Sequence, residues 1–259
     1  MKVVILAGGY GTRISEESHL RPKPMIEIGG RPILWHIMKY YSHFGFNDFI
    51  ICCGYKGYMI KEYFADYYLH CSDVTFDFSS GGAMTVHSNV AEPWRVTLAD
   101  TGAEVQTGGR IKRIAKYVGD ERFMLTYGDG VGSVDLNALL RQHEGSSCAL
   151  TLTAVQPRGR YGVLEIDEDK NRVVAFREKA REDANWINAG FMVAEPELFE
   201  YIDGDGVALE FAPFERLSAE NKLGVYRHED FWQCMDTQRD MNALNALWGS
   251  GQAKWKVWE

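Results

Sequence analysis

The feature that most constrains the fold lies at the amino terminus. Val3–Ala7 is a short, mostly β-branched apolar run that passes directly into Gly8, Gly9, Tyr10 and Gly11. A run without polar alternation suits a strand buried on both faces, as in a parallel sheet. FIICC (49–53) repeats the pattern. Between the two runs, Pro32 suits the first position of a helix. Ile33, Leu34, Ile37, Met38, Tyr41 and Phe44 then fall at helical spacing, and Gly45 can end it. Lys56 to Tyr68 reads as a second helix. Strand, helix, strand, helix in this order predicts an α/β fold, a mostly parallel sheet flanked by helices.

Further along, residues 74–101 stand apart. VTFDF and MTVH flank SSGGA and read as a hairpin, so an accessory β excursion over 74–106 is expected inside a single domain spanning 1–259. Ile111–Val118 reads as a helix closed by Gly119, FMLTY (123–127) as a strand and Asp135–His143 as a helix. CALTLTAV, GVLEI, RVVAF and FMVAE read as strands. Thr237 can cap a last helix, with Asp240 three residues on, and Met241, Leu244, Leu247 and Trp248 facing the core. The tail AKWKVWE could dock on its own chain or on a neighbouring subunit.

The chain has 259 residues, 46% of them apolar, enough for a large core. It carries 28 basic and 36 acidic residues, a formal charge of −8. That balance argues against nucleic-acid and membrane-surface partners, which want a basic face, and leaves a small anionic substrate open. The five cysteines match no zinc spacing and read as small buried hydrophobes in a reducing compartment. No signal-peptide pattern precedes Val3 and no apolar run reaches membrane-spanning length, so the expectation is a soluble, cytoplasmic protein.

A strand followed by a glycine-rich loop and fixed positive charge is an arrangement for phosphate. Glycines let backbone N–H groups converge on an anion, and ligands of open α/β sheets bind beyond the carboxyl ends of strands. The loop has neither the G-K-[ST] of a P-loop nor the third glycine of a dinucleotide fingerprint, which disfavours a P-loop ATPase and a nicotinamide oxidoreductase. A tight turn with no ligand is the other reading of the loop. Arg13 and Lys23 suggest a polyphosphate; Pro22 and Pro24 stiffen the chain on either side of Lys23. Lys23 can equally be a solvated loop lysine. Asp129, between Gly128 and Gly130 at a strand end, is a magnesium ligand, a turn aspartate or a helix cap. Asp236 is a second candidate ligand or an N-terminal charge on the last helix. Glu178 and Lys179 end a strand as a phosphate and hydroxyl pair or as an exposed ion pair.

LAGGYGTR, then RPKPM, TYGDGV, FREK, INAGF and FWQCMDT, in that order, resemble the sugar-1-phosphate nucleotidyltransferases, and the similar stretches span nearly the whole chain. Within that family the likeness is to members that use CTP and glucose 1-phosphate. Relatives that use dTTP or UTP usually have Asn after the metal-binding Asp, where this chain has Gly130. The resemblance implies a Rossmann-like nucleotidyltransferase fold, Mg²⁺, a homo-oligomer of hexameric order and a role in deoxysugar supply for a surface polysaccharide. It implies that Leu6, Ala7, Gly8, Gly9, Tyr10, Gly11, Thr12 and Arg13 wrap the nucleotide. Lys23 contacts phosphate, and Thr107, Arg110 and Gly128 lie beside the nucleotide. Asp129 and Asp236 hold the metal. Gly162, Glu178, Lys179, Asn188 and Gly190 shape the sugar-phosphate site, and Arg13, Lys23 and Asp129 carry catalysis. Ala180 follows Lys179 where the family usually has Pro. The other functions compatible with these residues are the same chemistry with another nucleotide or sugar 1-phosphate, or that of a non-catalytic nucleotide-binding regulatory relative.

Overall fold

The computed structural model describes residues 1–11, 14, 19–157 and 185–258, and the backbone of strands 163–167 and 172–177. Strand β1 is Lys2–Ala7, helix α1 Ile33–His43, β2 Asp48–Cys53 and α2 Gly57–Ala65. After a hairpin, Ser72–Asp77 against Ala83–Asn89, come β3 (Arg95–Asp100) and α3 (Thr107–Val118). β4 (Phe123–Tyr127), β5 (Gly130–Gly132), α4 (Leu136–Glu144) and β6 (Leu150–Val155) follow. The last third holds β7 (Ile187–Asn188), β8 (Met192–Ala194), α5 (Ala212–Ala219), β9 (Leu223–His228), β10 (Trp232–Cys234) and α6 (Gln238–Gly249).

The strands β3, β2, β1 and β4 lie side by side and parallel. β8 joins β4 antiparallel, β6 pairs antiparallel with β8, and β9 runs parallel to β6. β7 also pairs with β6, and positive φ at Gly190 and Phe191 turns the chain between β7 and β8. Alternate residues of one strand feed two cores. Val3, Ile5, Phe49 and Ile51 pack with α1 and α6 on one face. Val4, Leu6, Ile50 and Cys52 pack with Ile111, Ile114 and Val118 of α3 on the other. Burial on both faces is what removed polar alternation from these strands.

The structure differs from expectation in several places. The helix expected over Lys56–Tyr68 is two, Gly57–Ala65 and Tyr67–His70, separated at Asp66. α3 starts four residues earlier than Ile111, because Gly108 and Gly109 let the helix meet the 205–209 backbone. A Cβ at Gly108 would lie 2.7 Å from the Val207 carbonyl oxygen, and one at Gly109 2.5 Å from Asp205 Cα. β3, grouped by the sequence with the excursion, belongs to the main sheet beside β2, so the separate pair is residues 72–89 alone. β5, β7, β9, β10 and α5 were not expected, and β10 pairs antiparallel with β5. The cysteines are unpaired, with Cys52, Cys53 and Cys71 buried. No helix of the described residues is long and apolar enough to cross a membrane.

The tail docks on its own chain: Trp255 is fully buried and Trp258 packs beside it against α1 and α6. At the centre of this aromatic cluster is His36, fully buried, its ring edge-on to Trp248 at 4.6 Å. The Ile28 carbonyl 2.8 Å from Nε2 can only accept, and the Trp255 indole N–H 3.4 Å from Nδ1 can only donate. His36 is therefore the neutral Nε2–H tautomer, and burial pushes it down to about 4. Unfolded, it titrates near 6.5. Between these values the unfolded chain binds more protons, so stability rises with pH there and is lost as pH falls through the window. We expect the wild type to lose about 3 kcal/mol between about pH 6.5 and about pH 4 that a His36→Gln variant does not lose, read from urea midpoints at each pH. Parallel pH profiles for the two proteins would show that His36 is not the titrating group.

Candidate active site

β1 and β4 are adjacent parallel strands whose carboxyl ends reach one edge of the sheet. Gly8–Gly11 leaves the first and Gly128–Asp129 the second. The two exits touch: the Gly128 N–H donates to the Leu6 carbonyl at 2.9 Å. A Cβ at Gly128 would sit 2.8 Å from that oxygen and 3.1 Å from Pro24 Cγ, so only glycine fits between the strand and the lysine segment. The exits border a cavity of about 440 Å³, closed on other sides by Lys23, by residues 103–107 and by Asp236.

Lys23 begins a single 3₁₀ turn, Lys23–Met25, after Pro22. Its ammonium donates to Asp129 Oδ2 and to Asp236 Oδ1, both at 2.6 Å. The β5–β10 pair makes that meeting possible. Cys234 is opposite Gly130, and one step further the Met235 N–H donates to the Asp129 carbonyl at 2.8 Å. The capping box of α6 fixes the other side: Asp240 accepts from the N–H groups of Thr237 at 2.9 Å and of Asp236 at 3.1 Å. Asp236 is thus held by the cap and aimed by the strand. Burial pushes the Lys23 ammonium toward neutrality, but Asp129 and Asp236 outweigh it, and the net shift is upward. The lysine is a fixed cation.

Two carboxylate oxygens on one ammonium are close enough to share one divalent ion. Magnesium is held by one or two carboxylates plus substrate phosphates and water, so these residues fit it. Among the described residues no group of three or more His, Cys, Asp or Glu is placed to hold an ion. Cys234 lies 3.5 Å from Asp236, but burial raises its thiol to about 12. The thiol is therefore protonated beside the Asp236 carboxylate at neutral pH.

Arg110 lies beneath the glycine loop, nearly buried. Its guanidinium donates to Thr101 Oγ1 at 2.9 Å and to the carbonyls of Gly102 at 2.6 Å and Ala103 at 3.1 Å. It lines the cavity while it props the 101–103 loop. The Thr107 hydroxyl donates to Glu210 Oε2 at 2.6 Å and accepts from the Leu209 N–H. Tyr127 donates to Glu210 Oε1 at 2.6 Å and accepts from Asn188 Nδ2 at 3.0 Å, and Asn188 Oδ1 accepts from the Gly190 N–H. Burial, then the Glu210 charge, push the Tyr127 phenol upward, so it stays a donor. This chain ties the cavity wall at Thr107 to Asn188 and Gly190 on the next strand.

Leu6, Ala7, Gly8, Gly9, Tyr10, Gly11, Lys23, Thr107, Arg110, Gly128, Asp129 and Asp236 all line this cavity. Asn188 and Gly190 reach it through Tyr127. Thr12, Arg13, Gly162, Glu178 and Lys179 lie outside the described residues. The sequence reading missed Tyr127, Glu210 and Glu104. The tyrosine was legible as the last residue of the strand before Gly128. Nothing in the sequence around the two glutamates distinguishes them from surface carboxylates.

The profile of the nucleotidyl transferase family matches residues 2–232, and the chain belongs to that family. It is 53% identical, over the full length of both chains, to the glucose-1-phosphate cytidylyltransferase of Salmonella typhi. It is 31% identical to the D-glycero-alpha-D-manno-heptose 1-phosphate guanylyltransferase of Campylobacter jejuni, over 85% of this chain and 86% of the relative. In fold it is similar to HddC of Yersinia pseudotuberculosis in complex with GMP-PN, with a TM-score of 0.67 at 24% identity, covering 95% of this chain and 99% of that one.

The close approach at Gly8 gives a test of the geometry. A Cβ there would lie 2.1 Å from Arg110 Nη1, and one at Gly54 2.3 Å from the same atom. Gly8→Ala must push the guanidinium off the Thr101–Ala103 loop. We expect a loss of about 1–3 kcal/mol in denaturant stability, together with weaker nucleotide binding by calorimetry. A variant with wild-type values of both would mean that Arg110 has room to move.

Proposed function

We propose that the protein transfers a cytidylyl group from CTP to α-D-glucose 1-phosphate, giving CDP-glucose and pyrophosphate. One observation carries the reading: Lys23, Asp129 and Asp236 converge at one end of a cavity bordered by the glycine loop. The family and the full-length likeness to the Salmonella enzyme support it.

A phosphate oxygen of the sugar phosphate attacks the α-phosphorus of CTP. The bond from the α-phosphorus to the oxygen bridging to the β-phosphate breaks, and pyrophosphate leaves. The nucleophile is already largely ionised at neutral pH, so no protein nucleophile or strong base is required. The obstacle is the approach of one anion to another. Asp129 and Asp236 would hold Mg²⁺, which when bound supplies a compact positive charge to the phosphates. Lys23, displaced from the carboxylates, is free to bind phosphate. Gly8–Gly11 line the same space, where their N–H groups would donate to phosphate oxygens, and Arg13 would add a guanidinium. Glu178 binds sugar hydroxyls and Lys179 the sugar phosphate, with Gly162, Asn188 and Gly190 completing that pocket. Such preset charges act where charge develops and cost no reorganisation during reaction.

Lys23→Ala should lower turnover by roughly a hundred- to a thousandfold, about 2.7–4 kcal/mol of barrier, with the fold intact. Asp129→Asn should abolish the response of pyrophosphate release to Mg²⁺. Near-normal turnover in the first, or an unchanged metal response in the second, would remove that residue from the mechanism.

The reading also includes a cytoplasmic homo-oligomer, of hexameric order, with small-molecule substrates and neither nucleic acid nor membrane as partner. The hairpin over 72–89 supports assembly, because Phe76, Phe78, Met84 and Val86 are all exposed on it. Contiguous exposed apolar side chains mark interaction surfaces. Phe76→Asp with Phe78→Asp should reduce the mass seen by light scattering while leaving the far-ultraviolet dichroism unchanged. An unaltered mass would place the interface elsewhere.

A further inference from the structure

We infer that Glu104 reads the nucleotide base, accepting a hydrogen bond from the exocyclic amine of cytosine and disfavouring the carbonyl that uracil presents at the same position. The inference rests on the cytidylyl reading above and adds a residue to it.

The cavity has a direction. Lys23, Asp129 and Asp236 meet at one place on its wall, the end read above as the phosphate and metal end, and Tyr10 of the glycine loop meets Glu104 of the 103–107 segment at another. A nucleotide with its phosphates at the first end carries its base to the second. The polar side chains at that second end are mostly committed. Arg110 spends its donors on Thr101, Gly102 and Ala103, and Thr107 is held between Glu210 and the Leu209 N–H. Glu104 projects from the exposed 103–106 loop across the cavity mouth to the glycine loop, where Tyr10 donates its hydroxyl proton to Oε1. Tyr10 is itself braced by the Tyr55 ring, 4.9 Å between centroids. The carboxylate is thereby fixed at the base end, and its second oxygen is a further acceptor.

An ionised carboxylate only accepts. Cytosine offers two protons at N4, where uracil and thymine offer a carbonyl lone pair. Glu104 is the one acceptor-only side chain among the described residues lining this end. It therefore favours the amino pyrimidine and repels the keto pyrimidine. Its hydrogen bond goes to Tyr10 and not to the lysine–aspartate group, so it bears on which nucleotide binds rather than on the rate of the bound complex.

The test measures kcat/KM for CTP and for UTP by pyrophosphate release, with calorimetric binding of both nucleotides, in the wild type, Glu104→Gln and Glu104→Ala. An amide can turn either a donor or an acceptor to the base. The CTP-to-UTP ratio should therefore fall about tenfold in the Gln variant, and similarly in the Ala variant. The change should lie in KM and binding, with kcat at saturating CTP preserved, a split that damage to the fold would not produce. A wild type that prefers CTP, with both variants keeping its ratio, overturns the role of Glu104 and leaves the cytidylyl reading standing. A wild type that prefers UTP overturns both. A fall in kcat with the ratio unchanged also overturns the role, because it would make Glu104 a general positioning residue.

Discussion

The site depends on one arrangement of charge: a lysine ammonium bridging two carboxylates from distant parts of the chain. Each member alone would be unfavourable. Lys23 is mostly buried, with its side chain 12% exposed, and desolvation by itself would drive it neutral. Asp129 and Asp236, brought to one point without a cation, would repel each other. Together the three offset those costs, which is why the net shift on Lys23 is upward despite burial. The same logic explains how a metal site can stay assembled before its metal arrives. The ammonium holds the two carboxylates together, and under the proposed function these would hold the ion while the lysine would serve the phosphates.

The fold delivers this triad by converging three short backbone devices. Parallel β1 and β4 put the glycine loop and Asp129 at one edge. The β5–β10 pair, only three residues on each strand, carries Asp236 to the same edge from a distant part of the chain. The capping box of α6 then pins Asp236, so a feature that stabilises a helix end also positions a ligand. The close packing of Gly128 against the Leu6 carbonyl and Pro24 leaves no slack between the strand exit and the lysine turn. A site built this way shifts little with side-chain rotamers, because main-chain contacts set its dimensions.

Much of this was legible in the sequence, and the failures have physical causes. Burial on both faces leaves an unmistakable apolar run, so β1, β2 and β4 were readable, and the helix cap at Thr237 follows from residue types that compete for backbone donors. β10 was not readable, since Trp-Gln-Cys is too short to show a period. Its partner Gly130–Gly132 looks like the remainder of a turn. Residue spacing alone therefore could not bring Asp129 and Asp236 together; only the family resemblance pointed to their meeting. The start of α3 was missed for the opposite reason: Gly108 and Gly109 are poor helix formers, and only the backbone of 205–209 pressed against them shows why no side chain is tolerated there. Glu210 and Glu104 were invisible because their meaning lies in their partners, Thr107 and Tyr127 for one and Tyr10 for the other.

The cavity divides its labour by distance. The phosphate end is made of main chain, one lysine and two aspartates, all tied to strands and caps. The base end is made of an exposed loop, 103–106, propped from below by Arg110. The guanidinium holds Gly102 and Ala103 by their carbonyls, so under the proposal the side chain at 104 can change without loosening that support. The chain of hydrogen bonds from Thr107 through Glu210 and Tyr127 to Asn188 is the exception: it links the nucleotide wall to the strand beyond it. Each hydroxyl in that chain has one proton to give, and both Glu210 oxygens are taken, so its polarity is fixed.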